Sequence, residues 1–217
     1  MTTERTRNGH GMATEWPRNG HGTSGRMSSP LYQIAFSLPE WLSERLGSVE
    51  PIAAAEDRMR FVVDLSREQV QRATGGPFGA AVFEAVTGAL VSAGVNLVER
   101  QGNSALHAEV VALMLAEASV GTYHLGGLGG PDYELVTSSA PCAMCLGAVL
   151  WSGVRRLVIA ARTEDVQAIG FNEGPVFRES WAYLERRGVR IVRDVCRDVA
   201  VAVLREYIRR GGLIYNP

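Results

Sequence analysis

The chain has 217 residues, 46% of them hydrophobic and 21% charged, with a formal net charge of −1. That length fits one domain with extensions, and the near-neutral charge argues against a domain built to neutralise many phosphates. No apolar run reaches the ~18 residues of a membrane span. Three cysteines, two of them in a Cys-x-x-Cys, suit metal binding in a reducing, cytoplasmic setting better than a disulfide framework.

Residues 1–30 are rich in Gly, Ser, Thr, Asn and Arg and repeat the string Arg-Asn-Gly-His-Gly at 7–11 and 18–22. Such a segment cannot bury enough apolar surface to offset its ordering entropy, so a disordered tail is expected there. It lacks the apolar core of a secretory signal. The folded domain is expected over 31–217. A short amphipathic helix is predicted over 39–47 and a longer one over 50–73, where Ile52, Ala55, Met59, Val62, Val63 and Val70 fall close to helical spacing. Gly75-Gly76-Pro77 stops it. Residues 79–86 and 89–95 read as two strands joined by a Thr87-Gly88 hairpin turn.

A helix is predicted over 106–118, a Gly-rich loop over 121–131, a buried strand over 133–138 and a helix over 142–152. A strand over 154–161, a helix over 178–187, a strand over 189–193 and a closing helix over 195–210 complete the order. A hairpin followed by strands alternating with helices makes an α/β protein, a three-layer α/β/α sandwich around a mixed five-stranded sheet.

Two segments carry chemistry: His107-Ala108-Glu109, and Pro141-Cys142-Ala143-Met144-Cys145 roughly 30 residues further on. They offer one imidazole, two thiolates and an uncommitted carboxylate. Three N/S ligands with an open fourth position is the layout of a catalytic zinc site, whereas a structural site closes with four protein ligands. Each segment falls where a helix is expected to begin, and the partial positive charge there favours thiolates. Cysteines at i and i+3 share one helix face, so both can reach one ion. One Zn2+ per chain is expected on His107, Cys142 and Cys145. Zinc brings the pKa of a bound water to about 7, and Glu109 is free to carry its proton to a ring nitrogen and then to a departing amine. Cys196 and His124 have no partners in the sequence; Cys196 is read as a core or helix residue and His124 as a loop residue.

The chain resembles the cytidine-deaminase-like superfamily over roughly 50–215. The resemblance rests on Gly76-Pro77-Phe78-Gly79-Ala80, on Asn96, on His107-Ala108-Glu109 and on Pro141-Cys142-Ala143-Met144-Cys145-Leu146-Gly147-Ala148. It implies a cytidine deaminase-like fold and hydrolytic, zinc-dependent deamination of an aminoheterocycle, of the free-nucleobase type. Gly170-Phe171-Asn172-Glu173 and the terminal Leu213-Ile214-Tyr215 resemble bacterial guanine deaminases. There an acidic residue at the position of Glu173 shuttles protons, and the terminal Tyr closes a pocket, often the other subunit's. Leu106, Ser139-Ala140 and Tyr183–Gly188 resemble fungal-type cytosine deaminase instead.

Guanine is therefore the first candidate substrate, with cytosine, amino-triazines and tRNA adenosine as alternatives. The resemblance implies substrate contacts at Asn96, Ala108, Phe78, Trp151 and Tyr215, catalytic roles for Glu109 and Glu173, and a homodimer. Asn96 offers a donor and an acceptor to a ring edge, and Phe78 and Trp151 are expected to wall the pocket. Residues 178–210 hold nine Arg against five acidic residues, which reads as a solvated helical face, so nucleic acid is not the expected partner.

Overall fold

The computed structural model describes residues 34–127 and 129–216. The tail expected over residues 1–30 lies outside the described residues. The elements are α1 (Glu40–Leu46), α2 (Ala55–Gln71), β1 (Gly79–Glu84), β2 (Leu90–Val95), α3 (Val98–Gln101), α4 (Ala108–Val120), β3 (Tyr133–Ser139), α5 (Ala143–Ser152), β4 (Arg156–Ala161), α6 (Thr163–Gln167), α7 (Arg178–Arg186), β5 (Arg190–Val192) and α8 (Arg197–Arg209).

The five strands lie in the order β2-β1-β3-β4-β5. β1 runs antiparallel to β2 and to β3, while β3, β4 and β5 run parallel. The mixed five-stranded sheet read from the sequence is therefore present. Alternation along the strands sends side chains to two faces. Ala81, Phe83, Val136, Val158 and Ala160 join the core under α2 and α8. Ala80, Val82, Leu135, Leu157 and Ile159 join the core under α4 and α5.

The register explains where a site can form. Gly79 pairs with Val95, Ala80 with Thr137 and Ser139 with Ala161. The start of β1 thus lies beside the ends of β2, β3 and β4. Phe78, Asn96, Cys142 and the stretch after Ala161 all leave the sheet at that one end. In α/β folds the crevice outside the carboxyl ends of parallel strands is where ligands bind. α4 reaches the same end because β2 has a glycine under it. A Cβ at Gly94 would lie 2.6 Å from the Ala108 carbonyl oxygen and 2.7 Å from the Ala112 nitrogen.

Two short helices escape sequence patterning. α3 is one turn, begun by a hydrogen bond from the Val98 nitrogen to Asn96 Oδ1 and ended by Gly102 in the left-handed region. α6 is also short, with the Arg162 nitrogen donating to Asp165 Oδ2 at 2.8 Å. A single turn holds too few residues for a helical period to show. The strand expected over 189–193 contracts to the three residues of β5. α4 and α5 begin later than expected, so His107 and Cys142 are N-caps rather than first-turn residues.

One polar cluster is buried in this core. Glu134 on β3 is fully buried and meets Arg58 of α2 at 2.6 Å and Arg156 of β4 at 3.2 Å. Arg58 also donates to the Ala53 carbonyl at 2.9 Å. Removing one partner of a buried pair strands the other charge. Glu134→Leu is expected to destabilise the fold by about 3–5 kcal/mol, read by chemical denaturation.

Candidate metal centre

His107 and Cys142 occupy equivalent local positions. Each is an N-cap with extended backbone, φ −68° and ψ 156° for His107, φ −66° and ψ 175° for Cys142. Neither side chain caps its own helix, so both are free to point across the gap between α4 and α5. The first-turn carbonyl bonds form regardless, with the Val111 nitrogen donating to His107 and the Leu146 nitrogen to Cys142, both at 2.9 Å. Cys145 follows one turn into α5 on the face of Cys142.

The three ligand atoms converge. His107 Nδ1 lies 3.5 Å from Cys142 Sγ and 3.6 Å from Cys145 Sγ, and all three atoms fall within 4.8 Å of one another. A tetrahedral zinc, with bonds of about 2.3 Å to sulfur and about 2.0–2.1 Å to nitrogen, requires N···S of about 3.5 Å and S···S of about 3.8 Å. The donor set and its spacing therefore fit zinc. Among the described residues three ligands converge, which leaves a fourth position for water or substrate.

Charge at the centre is tightly coupled. The Cys142 thiol is pulled down to about 4, first by a hydrogen bond from Cys145 and then, against burial, by His107. Cys145 goes up because it donates that bond, because it is buried, and because Glu109 faces it. Burial pulls the His107 imidazole down, but the bond to Cys142 and the charge of Glu109 outweigh it, so the imidazole titrates above its usual range.

Two carboxyl groups stand beside the ligands. Glu109, on the first turn of α4, is buried, and desolvation followed by the Cys142 charge pushes it up to about 7. Glu173 sits in the loop after α6. Its backbone carbonyl accepts a 3.0 Å bond from the Ala143 nitrogen, which fastens that loop to the start of α5. Burial, then the charges of Cys142 and Glu109, push its carboxyl up to about 8.

The other expected contacts divide. Asn96 is 1% exposed at the end of β2. Its Oδ1 is engaged by the Val98 nitrogen, while its Nδ2 is buried with no partner among the described residues. Ala108 is fully buried. Phe78 packs edge-on against Phe171 at 5.1 Å, and Phe171 meets Tyr215 in the same way at 5.1 Å. Trp151 departs from expectation. It lies near the end of α5, well beyond the turn that carries the ligands, and is 78% exposed, so it walls no pocket within this chain.

The C-terminal tail returns onto its own chain. Tyr207 donates to the Leu213 carbonyl at 2.7 Å, Asn216 Nδ2 donates to the Gly170 carbonyl at 2.8 Å, and Asn216 Oδ1 accepts from the Asn172 nitrogen at 2.8 Å. This brings Tyr215 against the loop that carries Glu173, its buried hydroxyl without a partner among the described residues. Asn216 and Gln69, which bonds the Asn96 backbone, were not singled out from sequence. Both act through main-chain groups, and such contacts leave no residue pattern.

The family described as the cytidine and deoxycytidylate deaminase zinc-binding region matches residues 53–161. The chain belongs to that family. It is 46% identical to the solved guanine deaminase from Nitrosomonas europaea, with a TM-score of 0.78 over 84% of this chain and 98% of that one. A further solved structure, in complex with 2,6-diaminopurine, is 48% identical with a TM-score of 0.79, covering 84% of this chain and 96% of that one. Guanine deaminase of Bacillus subtilis (strain 168) is 35% identical over 57% of this chain and 75% of its own length. As a member of this family the chain is a zinc-dependent hydrolytic deaminase, and His107, Cys142 and Cys145 form a potential metal site.

Zinc must displace the protons held by Cys145 and His107, whose pKa values are both raised. Affinity is therefore expected to fall as the pH is lowered, with protons released on binding, read by chelator competition. Cys142→Ala is expected to lose stoichiometric zinc.

Proposed function

We propose that this chain hydrolyses guanine, replacing the exocyclic amine with a carbonyl oxygen and releasing ammonia. The observation that carries this reading is the 46% identity, spread over nearly the whole of a solved guanine deaminase. The acidic Gly-Phe-Asn-Glu loop, held against the metal ligands through the Glu173 carbonyl, supports it further. Guanine is favoured over the cytosine, amino-triazine and tRNA-adenosine alternatives.

His107, Cys142 and Cys145 would hold the zinc, which would supply Lewis-acid activation of a water at neutral pH. The protein's own groups do the rest. Glu109, titrating at about 7, is poised near the working pH, the condition for efficient proton transfer in both directions. It takes a proton from the attacking water and delivers it to the ring nitrogen beside the reacting carbon. Glu173, whose carboxyl is pushed up to about 8 by burial, can relay the second proton of the water to the departing amine. Asn96 offers its free Nδ2 to an acceptor on the base. Ala108 lines the floor, Phe78 excludes water from one side, and Tyr215 closes the pocket with its hydroxyl available to substrate.

We further propose that the deaminase domain spans 31–217 and acts as a homodimer. Met144 and Trp151, seven residues apart and so on one face of α5, are both exposed and suit a covering second copy. Free thiols serving as ligands fit the reducing cytoplasm.

Glu109→Gln is expected to keep zinc and lower ammonia release from guanine by at least about 10²-fold. Equal turnover in the two proteins overturns the assignment. Trp151→Glu is expected to shift the sedimentation coefficient toward that of a monomer.

A further inference from the structure

Asn96 is held by a directional chain of hydrogen bonds that begins outside the matched family region. The Trp41 indole N–H of α1 donates to Thr74 Oγ1 at 3.2 Å. The Thr74 hydroxyl donates to Gln69 Oε1 at 2.6 Å. Gln69 Nε2 donates to the Asn96 carbonyl oxygen at 2.7 Å. An indole N–H can only donate, and a hydroxyl has a single proton to give. The Asn96 carbonyl can only accept, so the Gln69 amide must turn its nitrogen to Asn96 and its oxygen to Thr74. Thr74 meets that oxygen with its one proton and accepts from Trp41, which supports the same orientation.

Two further observations mark the Gln69–Asn96 bond. Gln69 is fully buried in α2, where an amide with an unmatched end is costly. Gly75 lies directly over the contact. A Cβ there would fall 2.3 Å from Gln69 Nε2 and 2.4 Å from the Asn96 carbonyl oxygen. The first glycine of Gly75-Gly76-Pro77 thus leaves room for this bond as well as ending a helix.

Asn96 is pinned at two more points, its nitrogen on the Phe78 carbonyl at 3.1 Å and its Oδ1 under the Val98 nitrogen at 3.2 Å. What remains is Nδ2, buried and unpartnered among the described residues. Holding an unmatched donor in place costs stability, and that cost is recovered when a ligand supplies the acceptor.

We infer that Gln69 is a positioning residue that fixes Asn96 for the base, with Thr74 and Trp41 supporting the orientation of its amide. The inference rests on the reading of Asn96 as a guanine contact. Gln69→Met keeps the side-chain volume and removes the donor. In the zinc-loaded enzyme it is expected to raise the KM for guanine about tenfold while leaving kcat within about twofold and zinc content unchanged. Trp41→Phe and Thr74→Val, further along the chain, should move KM in the same direction by less, and carry the test if Gln69→Met folds poorly.

The discriminating readout is guanine binding by calorimetry in the inert Glu109→Gln background. Gln69→Met should weaken binding when Asn96 is present and add nothing once Asn96→Ala has been introduced. An equal loss in both backgrounds, or a fall in kcat at constant KM, overturns the inference. Turnover by the wild-type enzyme separates the two readings, because failure of the guanine assignment appears there as absent ammonia release.

Discussion

The approach of one imidazole nitrogen to two cysteine sulfurs, at 3.5 and 3.6 Å, is the constraint the rest of the structure serves. The ligands come from two helices that are distant in sequence. Each helix must present its N-cap to the other, and each N-cap side chain must be excused from capping its own helix. The sheet register does the first by bringing the start of β1 and the ends of β2 and β3 to one edge. Gly94 lets α4 settle close enough on β2 for His107 to reach that edge. The coordination sphere is thus a consequence of strand order and one small residue as much as of the ligands themselves.

Bringing thiolates, an imidazole and two carboxyl groups into a buried space sets the chemistry. Desolvation alone raises both carboxyl groups, and the negative Cys142 raises them further. Both are held above the usual carboxylate range, so one site holds two proton carriers. The same burial leaves the centre dependent on a counterion of high charge. A divalent cation supplies it and resolves the competition of Cys142 and Cys145 for one proton, since both can then be thiolates. The loop that carries Glu173 is tied to α5 by its own carbonyl and to the chain end by Asn216, so the second carboxyl group is placed by main-chain contacts.

Much of this was legible in the residues. The metal ligands and Glu109 are readable because their types and spacing leave few other uses. The sheet is readable because strands of alternating or continuous apolar character separate cleanly from helices of longer period. The one-turn helices α3 and α6 were not, since a single turn has no periodicity to detect. Trp151 misled because an aromatic residue near a motif says nothing about which side of its helix it occupies. At the last turn of α5 it faces outward. Gln69 and Asn216 were invisible for another reason. The bonds they make to the site loops go to backbone groups, and any residue can supply those.

The chemistry turns on a centre with three protein ligands and an open position. X-ray absorption at the zinc edge of the loaded protein tests this most directly. The account predicts two sulfur neighbours at about 2.3 Å and two lighter neighbours at about 2.0–2.1 Å, one of which exchanges when guanine is added. Three or four sulfur neighbours, or a shell of four protein ligands that guanine leaves unchanged, would contradict it.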